Sequence, residues 1–431
     1  MKKYLIYAMS LLIVGASFSA CSNEEDDIFE ASPSDRLNQA MEDYTALLCK
    51  PANGWAMQYF ADNEDEGGYT FLMKFDKNTS VTIAGNNRWT GNAYKEETSM
   101  FDLIADNGPV LTFNTFNDVF HIFSTPEDLP STPENEAGYG HNGDYEFIVM
   151  DATDDLITLK GKKTAIRVLM TPLADDTDWK QYFTELKAKS RSLFNDKFDP
   201  LLLDLGEKRF IVSGASTGVF SMYPEGGDAI TETVKYPYLI NFEGIRFYKE
   251  VEETGVQQIY FNDQGSFSLE GQEESCLRQT KELNGIFLTK TLGWRLVADN
   301  TGGSFATVLE NIATETKEKL KRNFNSIDFI YYASQKTYAL SFRNSGTSAA
   351  AYIYGTETPS EDGLSIKFDI STTEGNNNGK NRLRDIPSLT TFINLLNSTD
   401  LVMSTENPLA PTKITFKSRS NENDYFTVTL N

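Results

Sequence analysis

The sequence predicts a mainly antiparallel α+β protein built as two or three strand-rich lobes, each introduced by a helix. Two observations predict it. Short β-branched and aromatic runs recur along the chain, broken by Gly, Asn, Asp and Pro, and the few stretches with helical spacing do not alternate with them. At 431 residues the chain exceeds what one core covers, so residues 34–174 are expected as an N-terminal domain and 175–431 as a C-terminal one. The boundary falls where Thr171-Pro172-Leu173 ends a strand and Asp175-Asp176-Thr177-Asp178 opens a helix.

In chain order, a leader comes first. Lys2 and Lys3, the apolar run Leu5 to Val14 and the small residues up to Ala20 read as a signal peptide over residues 1–20. The run is shorter than the roughly 20 apolar residues that cross a bilayer. Ser19-Ala20 before Cys21 resembles the lipobox of lipoprotein signal peptidase, with Phe18 in place of the usual aliphatic residue. Cys21 is therefore expected to carry the acyl chains, palmitate among them, that anchor the mature chain to a membrane. Residues 21–33, with Glu24-Glu25-Asp26-Asp27, read as an acidic tether. That block resembles the export signal of Bacteroidota lipoproteins bound for the outer face of the outer membrane.

Four amphipathic helices follow. Ser34 is expected to cap the first, with Leu37, Met41, Tyr44, Leu47 and Leu48 on its apolar face and Pro51 at its end. The second opens near Asp176 or Asp178 and carries Trp179, Phe183, Leu186, Leu193 and Phe194. The third uses Leu309, Ile312 and Leu320, and the fourth Leu389, Phe392, Ile393 and Leu396. The remainder reads as strands, among them Tyr69 to Phe75, Val119 to Phe123, Tyr145 to Met150, Phe210 to Val212, Ile245 to Tyr248, Ile327 to Tyr332 and Tyr425 to Leu430. Gly54-Trp55 with Gly67-Gly68 and Gly293-Trp294 with Gly302-Gly303 suggest a degenerate duplication.

Composition narrows the partners. Without the leader's two lysines the 39 basic residues fall to 37, against 62 acidic ones, which argues against nucleic acid or anionic lipid surfaces. After Cys21 only Cys49 and Cys276 remain, and their wide spacing favours buried free thiols over a disulfide.

Several strings imitate catalytic or metal motifs. Gly214-Ala215-Ser216-Thr217-Gly218 has the form of a hydrolase nucleophile elbow, but Val219 to Pro224 reads as strand and both histidines, His121 and His141, lie upstream, so a glycine-rich hairpin is expected. His121 is expected inside a strand and His141 in an exposed turn, too few for a zinc site. Asp62-Asn63-Glu64-Asp65-Glu66-Gly67 starts like a calcium loop, yet the twelfth position is Met73 and the closing Glu is missing, which leaves a charged hairpin loop. Gly375-Asn376-Asn377-Asn378-Gly379-Lys380 falls one residue short of phosphate-loop spacing and reads as a flexible loop. No catalytic residue, metal or cofactor is expected. Among 29 Phe, 20 Tyr and 4 Trp, most rings are expected in the core. Trp89, set between Asn86-Asn87-Arg88 and Thr90-Gly91-Asn92, is the candidate for a ligand-binding ring.

Pro51-Ala52-Asn53-Gly54-Trp55, Gly67-Gly68-Tyr69-Thr70-Phe71, Leu159-Lys160-Gly161-Lys162-Lys163 and Glu243-Gly244-Ile245-Arg246-Phe247-Tyr248-Lys249 together resemble an uncharacterised Bacteroidota lipoprotein family, domain of unknown function 4302. The resemblance would extend over nearly the whole mature chain. It implies genes placed beside an outer-membrane transporter of the starch-utilisation type and its capping lipoprotein, hence an accessory role in nutrient capture, and it brings no catalytic residue. The expected protein is a surface-exposed, lipid-anchored outer-membrane protein that binds a glycan or peptide ligand, or a partner, without transforming it. A surface hydrolase of glycan or peptide and a structural or adhesive module are the alternatives.

Overall fold

The computed structural model describes residues 32–61, 65–125, 140–346 and 350–431. Among the described residues the strands fall into three sets of eight, and every pairing in them is antiparallel. In the first lobe, eight strands from Trp55–Tyr59 to Arg167–Pro172 run in chain order and close into a barrel, the first strand pairing with the last through Trp55 opposite Pro172. The second lobe begins with Leu201–Leu205 and ends with Leu277–Gln279, which returns beside it with Leu277 opposite Leu203. In the third lobe, Trp294–Gly302 lies mid-sheet between Phe324–Tyr332 and Tyr425–Leu430. The mainly antiparallel α+β class with strand-rich lobes is thus what the chain adopts. The stretch 175–431 holds the second and third sheets.

Period-two burial builds the barrel. Trp55, Met57 and Tyr59 on one strand, Phe71 and Met73 on the next, and Val81 and Ile83 on the third are almost wholly sealed in one core. Burying each such side chain contributes roughly 1.5–3 kcal/mol. The longest barrel strand, Lys95–Ala105, escapes sequence reading because Glu96, Glu97 and Asp102 interrupt its apolar residues.

The helices differ from expectation in instructive ways. Ser32 rather than Ser34 caps the first, Pro33–Leu48, its Oγ accepting the N–H of Asp35 at 3.1 Å. Asp178 caps Trp179–Ser190, and that helix stops before Leu193 and Phe194. The third lobe is introduced by the short helix Leu283–Phe287; the long one, Gly303–Leu320, follows that lobe's first strand and packs on the sheet with Pro387–Ser398. The expected loop 375–380 opens a helix, Asn377–Asp385, because the Asn376 side chain accepts the Gly379 N–H at 2.8 Å. His121 starts a short 3₁₀ turn, His121–Phe123, instead of sitting in a strand: the Asn117 side chain takes the N–H groups of Val119 and Phe120 and so favours a turn.

The first two lobes meet backbone to backbone. Gly68 N–H donates to Tyr238 O at 2.9 Å, and within the second lobe Tyr238 N–H donates to Gly218 O at 2.9 Å, which sets both carbonyls against the Gly67-Gly68 turn. A Cβ on Gly67 would stand 2.9 Å from both Gly218 O and Tyr238 O, so only glycine fits there. Beside this seam the buried Arg246 reaches Gln58 Oε1 at 3.4 Å and Arg167 O at 3.3 Å.

Candidate functional site: a cleft at the seam of the first two lobes

The seam opens into a cleft of about 540 Å³. Its barrel side is formed by the turn ending at Gly68 and by Asn86, Asn87 and Arg88; across from it stand Phe183, Leu186 and Lys187 of the helix, then Phe194, Ser216 and Thr217. The lining mixes apolar faces with amides and hydroxyls, as binding sites for polar small molecules do.

Glu66 organises the barrel side. Its side chain is almost fully buried, and its carboxylate collects four donors. Oε1 accepts from Arg88 Nη2 at 2.5 Å, from Trp89 Nε1 at 2.9 Å and from the Tyr69 hydroxyl, while Oε2 accepts from His141 Nδ1. Burial alone would raise the Glu66 pKa, but the bonds from His141, Tyr69 and Arg88 outweigh it and hold the carboxyl at about 2. The Tyr69 hydroxyl moves the other way, raised by burial and by the Glu66 charge. Local sequence explains how these groups meet. Asn87 caps the 3₁₀ turn Arg88–Thr90 by accepting the N–H of Trp89 at 2.9 Å, which aims Arg88 and Trp89 back at Glu66.

Trp89 is therefore half-buried, with its edge on His141 (ring centroids 4.4 Å apart) and the Arg88 guanidinium 4.6 Å from its centroid. Its neighbours Asn87 and Arg88, not the indole, line the cleft. His141, expected in an exposed turn, is 2% exposed and sealed beneath the cluster. Its Nε2, Asn86 Oδ1 and Asn87 Nδ2 are buried without a hydrogen-bond partner.

Other sequence candidates fall elsewhere. Cys21 and Asp62-Asn63-Glu64 lie outside the described residues, while Asp65 pairs with Lys235 across the seam. The segment 214–218 is the expected hairpin: Lys208–Ser213 and Val219–Pro224 pair through a 3₁₀ turn, and the Ser216 hydroxyl donates to Asp196. His121 is locked between Asn117 N–H and Phe113 O, both at 3.1 Å. Cys49 and Cys276 are free thiols, and burial pushes the second up to about 12. Among the described residues no three His, Cys, Asp or Glu side chains are grouped to hold a metal ion. Sequence reasoning left Glu66 in a charged loop and His141 in an exposed turn and missed that they meet, because 75 residues separate them and no shared motif joins them.

Fold and cleft together define a three-lobed, mainly antiparallel α+β protein with a polar cleft between its first two lobes. Residues 25–264 match the model of the family described as domain of unknown function (DUF4302), and the chain belongs to that family. The match stops inside the second sheet, short of the nearly whole mature chain that the motifs led one to expect. No curated protein matches. Among solved structures, a DnaN sliding clamp (DNA polymerase III subunit beta) from Bartonella birtlesii bound to griselimycin is 9% identical over 91% of this chain and 97% of that chain, at a TM-score of 0.12, which carries no argument. Among the described residues no helix is long and apolar enough to cross a membrane.

Proposed function

We propose that the protein is a lipid-anchored outer-membrane lipoprotein of the Bacteroidota, exposed at the cell surface, whose seam cleft binds a nutrient-derived ligand without transforming it. The leader and Cys21 support the anchor. The Glu66 cluster carries the non-catalytic reading. A general acid or base needs a pKa near the working pH and a free proton path, whereas Glu66, the buried carboxylate of the cleft wall, is held ionised at about 2 by His141, Tyr69 and Arg88 against the effect of burial. It acts as a fixed anion that orients Arg88 and Trp89, leaving Asn87 and the Arg88 guanidinium to meet the ligand.

A partner outer-membrane transporter and its capping lipoprotein would receive that ligand. The test uses the mature chain with Cys21→Ser, incubated with oligosaccharide and peptide mixtures from spent medium, and mass spectrometry of whatever is retained. Retention of an unaltered compound, lost at least tenfold in Arg88→Ala, is expected; conversion of the compound would overturn the reading. In cells, Cys21→Ser should leave the membrane fraction, and retention there would remove the anchor.

A further inference from the structure

We propose a second binding site, at the start of the barrel strand Glu146–Ala152, that takes a neutral sugar ring on Tyr145. The proposal does not rest on the seam cleft. Phe116 and Tyr145 are 56% and 44% exposed, in a protein that seals most of its aromatic rings. They are not scattered: they flank His121, with ring centroids 5.4 and 5.7 Å from the imidazole. The imidazole cannot turn, because Nδ1 accepts the Asn117 N–H and Nε2 faces Phe113 O, so it donates from Nε2 as a single neutral tautomer. Two exposed rings braced on one fixed ring make a rigid apolar step, whereas isolated surface rings need no explanation.

Tyr145 also walls a pocket of about 280 Å³ with Gly143, Asp144, Glu146, Lys162 and Lys163. That is roughly nine waters' share of liquid volume, the scale of one pyranose. The rim is built in advance. The buried Asp144 carboxylate accepts the N–H of Lys163 at 2.7 Å and of Thr164 at 3.2 Å, together with the Thr164 hydroxyl. Gly161 makes room for it, since a Cβ there would lie 2.1 Å from Asp144 Oδ2. Lys162 Nζ bridges Asp106 Oδ2 at 2.7 Å and Glu146 Oε2 at 3.1 Å.

The chemistry selects the ligand. A sugar offers a C–H face for an aromatic ring and a rim of hydroxyls for paired donors and acceptors. Here Tyr145 supplies the ring, Glu146 the acceptor, and Lys162 and Lys163 the donors. Asp144 is satisfied by its three donors, and Lys162 and Lys163 stand against the carboxylates of Asp106, Asp144 and Glu146, so the pocket carries no positive excess to select an anionic ligand. Phe116, beyond His121, gives a second apolar face for an adjoining residue of a chain.

The experiment is saturation-transfer NMR on the mature Cys21→Ser chain with the methyl glycosides of glucose, galactose, mannose and N-acetylglucosamine, and with galacturonate and an apolar hexapeptide as controls. At least one neutral glycoside should give transfer strongest at its C–H face. Tyr145→Ala and Glu146→Gln should each weaken it at least tenfold with circular dichroism unchanged, while Arg88→Ala in the seam cleft should leave it intact. No transfer to any of the four, transfer that survives Tyr145→Ala, or binding confined to galacturonate or the peptide would overturn the proposal. Loss in Arg88→Ala alone would assign the sugar to the seam cleft and equally overturn it.

Discussion

Trp55 and Trp294 make the same bond in two different lobes. Each opens its lobe's first strand, each is sealed in the core, and each donates its indole N–H to the carbonyl seven residues upstream, to Leu48 at 2.9 Å and to Phe287 at 3.0 Å. Both acceptors are the last residues of the helices that introduce the lobes, Pro33–Leu48 and Leu283–Phe287. The indole thus closes a helix end whose carbonyl lacks an intrahelical partner. The Gly-Trp pairs mark a repeated structural unit; the Gly-Gly pairs do not, since Gly67-Gly68 precedes a barrel strand and Gly302-Gly303 joins a strand to a helix.

Trp55→Phe and Trp294→Phe should each destabilise by about 2–3 kcal/mol, from a buried carbonyl left without its donor plus a small void. As the two sites lie in separate lobes and share no partner, the double variant should show the sum. Chemical denaturation followed by fluorescence checks this, and a strongly non-additive result would contradict independent lobes.

The Glu66 cluster should show in acid. Because the folded carboxyl lies at about 2, below its ordinary value of 4.5, its stabilisation is complete above pH 4.5 and fades as the pH falls towards 2. The contribution is about 3 kcal/mol. Glu66→Gln should therefore lower the melting temperature at pH 7 and flatten the fall in stability between pH 4.5 and 2.5. An unchanged acid limb would show that the four donors do not act on an ionised carboxylate.

Trp89→Ala should cost about 2–4 kcal/mol, because the half-buried ring packs on His141 and bonds Glu66. A melting temperature within a degree of the parent would instead place the indole among the ligand contacts.

Glu357 is expected to behave in the opposite sense to Glu66. Its Oε1 is sealed without a partner beside Phe287, Trp294 and Phe329, and burial pushes the carboxyl up to about 8. The folded state therefore prefers the protonated acid, and stability drains away as pH rises from 4.5 to 8. Glu357→Gln should gain about 1–3 kcal/mol at pH 8 and nothing at pH 4. Equal melts of the two proteins at pH 8 would refute it.

Gly67→Ala tests the seam. The added methyl meets two backbone carbonyls of the second lobe, so it should part the lobes rather than unfold the barrel. Hydrogen exchange should then speed up at the Gly68 N–H, whose bond to Tyr238 O closes the seam, while the amides of the barrel strands stay protected. Unchanged exchange at Gly68 would mean that the seam shifts to accommodate the methyl.

Legibility followed sequence distance. Val81 and Ile83, or Phe392 and Ile393, announce their faces because burial repeats every two or every three to four residues. Caps were less legible: Ser32 and Ser34 are equally suited, and only chain direction before Pro33 separates them. Charge-rich strands such as Lys95–Ala105 vanish from a hydrophobic reading, since a barrel wall needs apolar residues only on its inner side. The cleft was illegible. Glu66, Arg88 and His141 come from three separate turns, brought together only when the barrel closes, and nothing in a turn of Asp, Glu and Gly says which carboxylate will face inward.

Closure of the barrel has a consequence for life beside identical neighbours. A sheet with an unpaired margin displays a row of amides and carbonyls on which the next molecule can add a strand. The first lobe has no such margin, because Trp55–Tyr59 is zipped to Arg167–Pro172. The other lobes bring their ends together as well, through Cys276 N–H on Phe267 O at 2.7 Å and through the bridge between Ser365 and Val402. Under the proposed anchor at Cys21, molecules held by their N-termini in one plane would collide sideways far more often than free ones. A closed first lobe offers such neighbours no strand to extend.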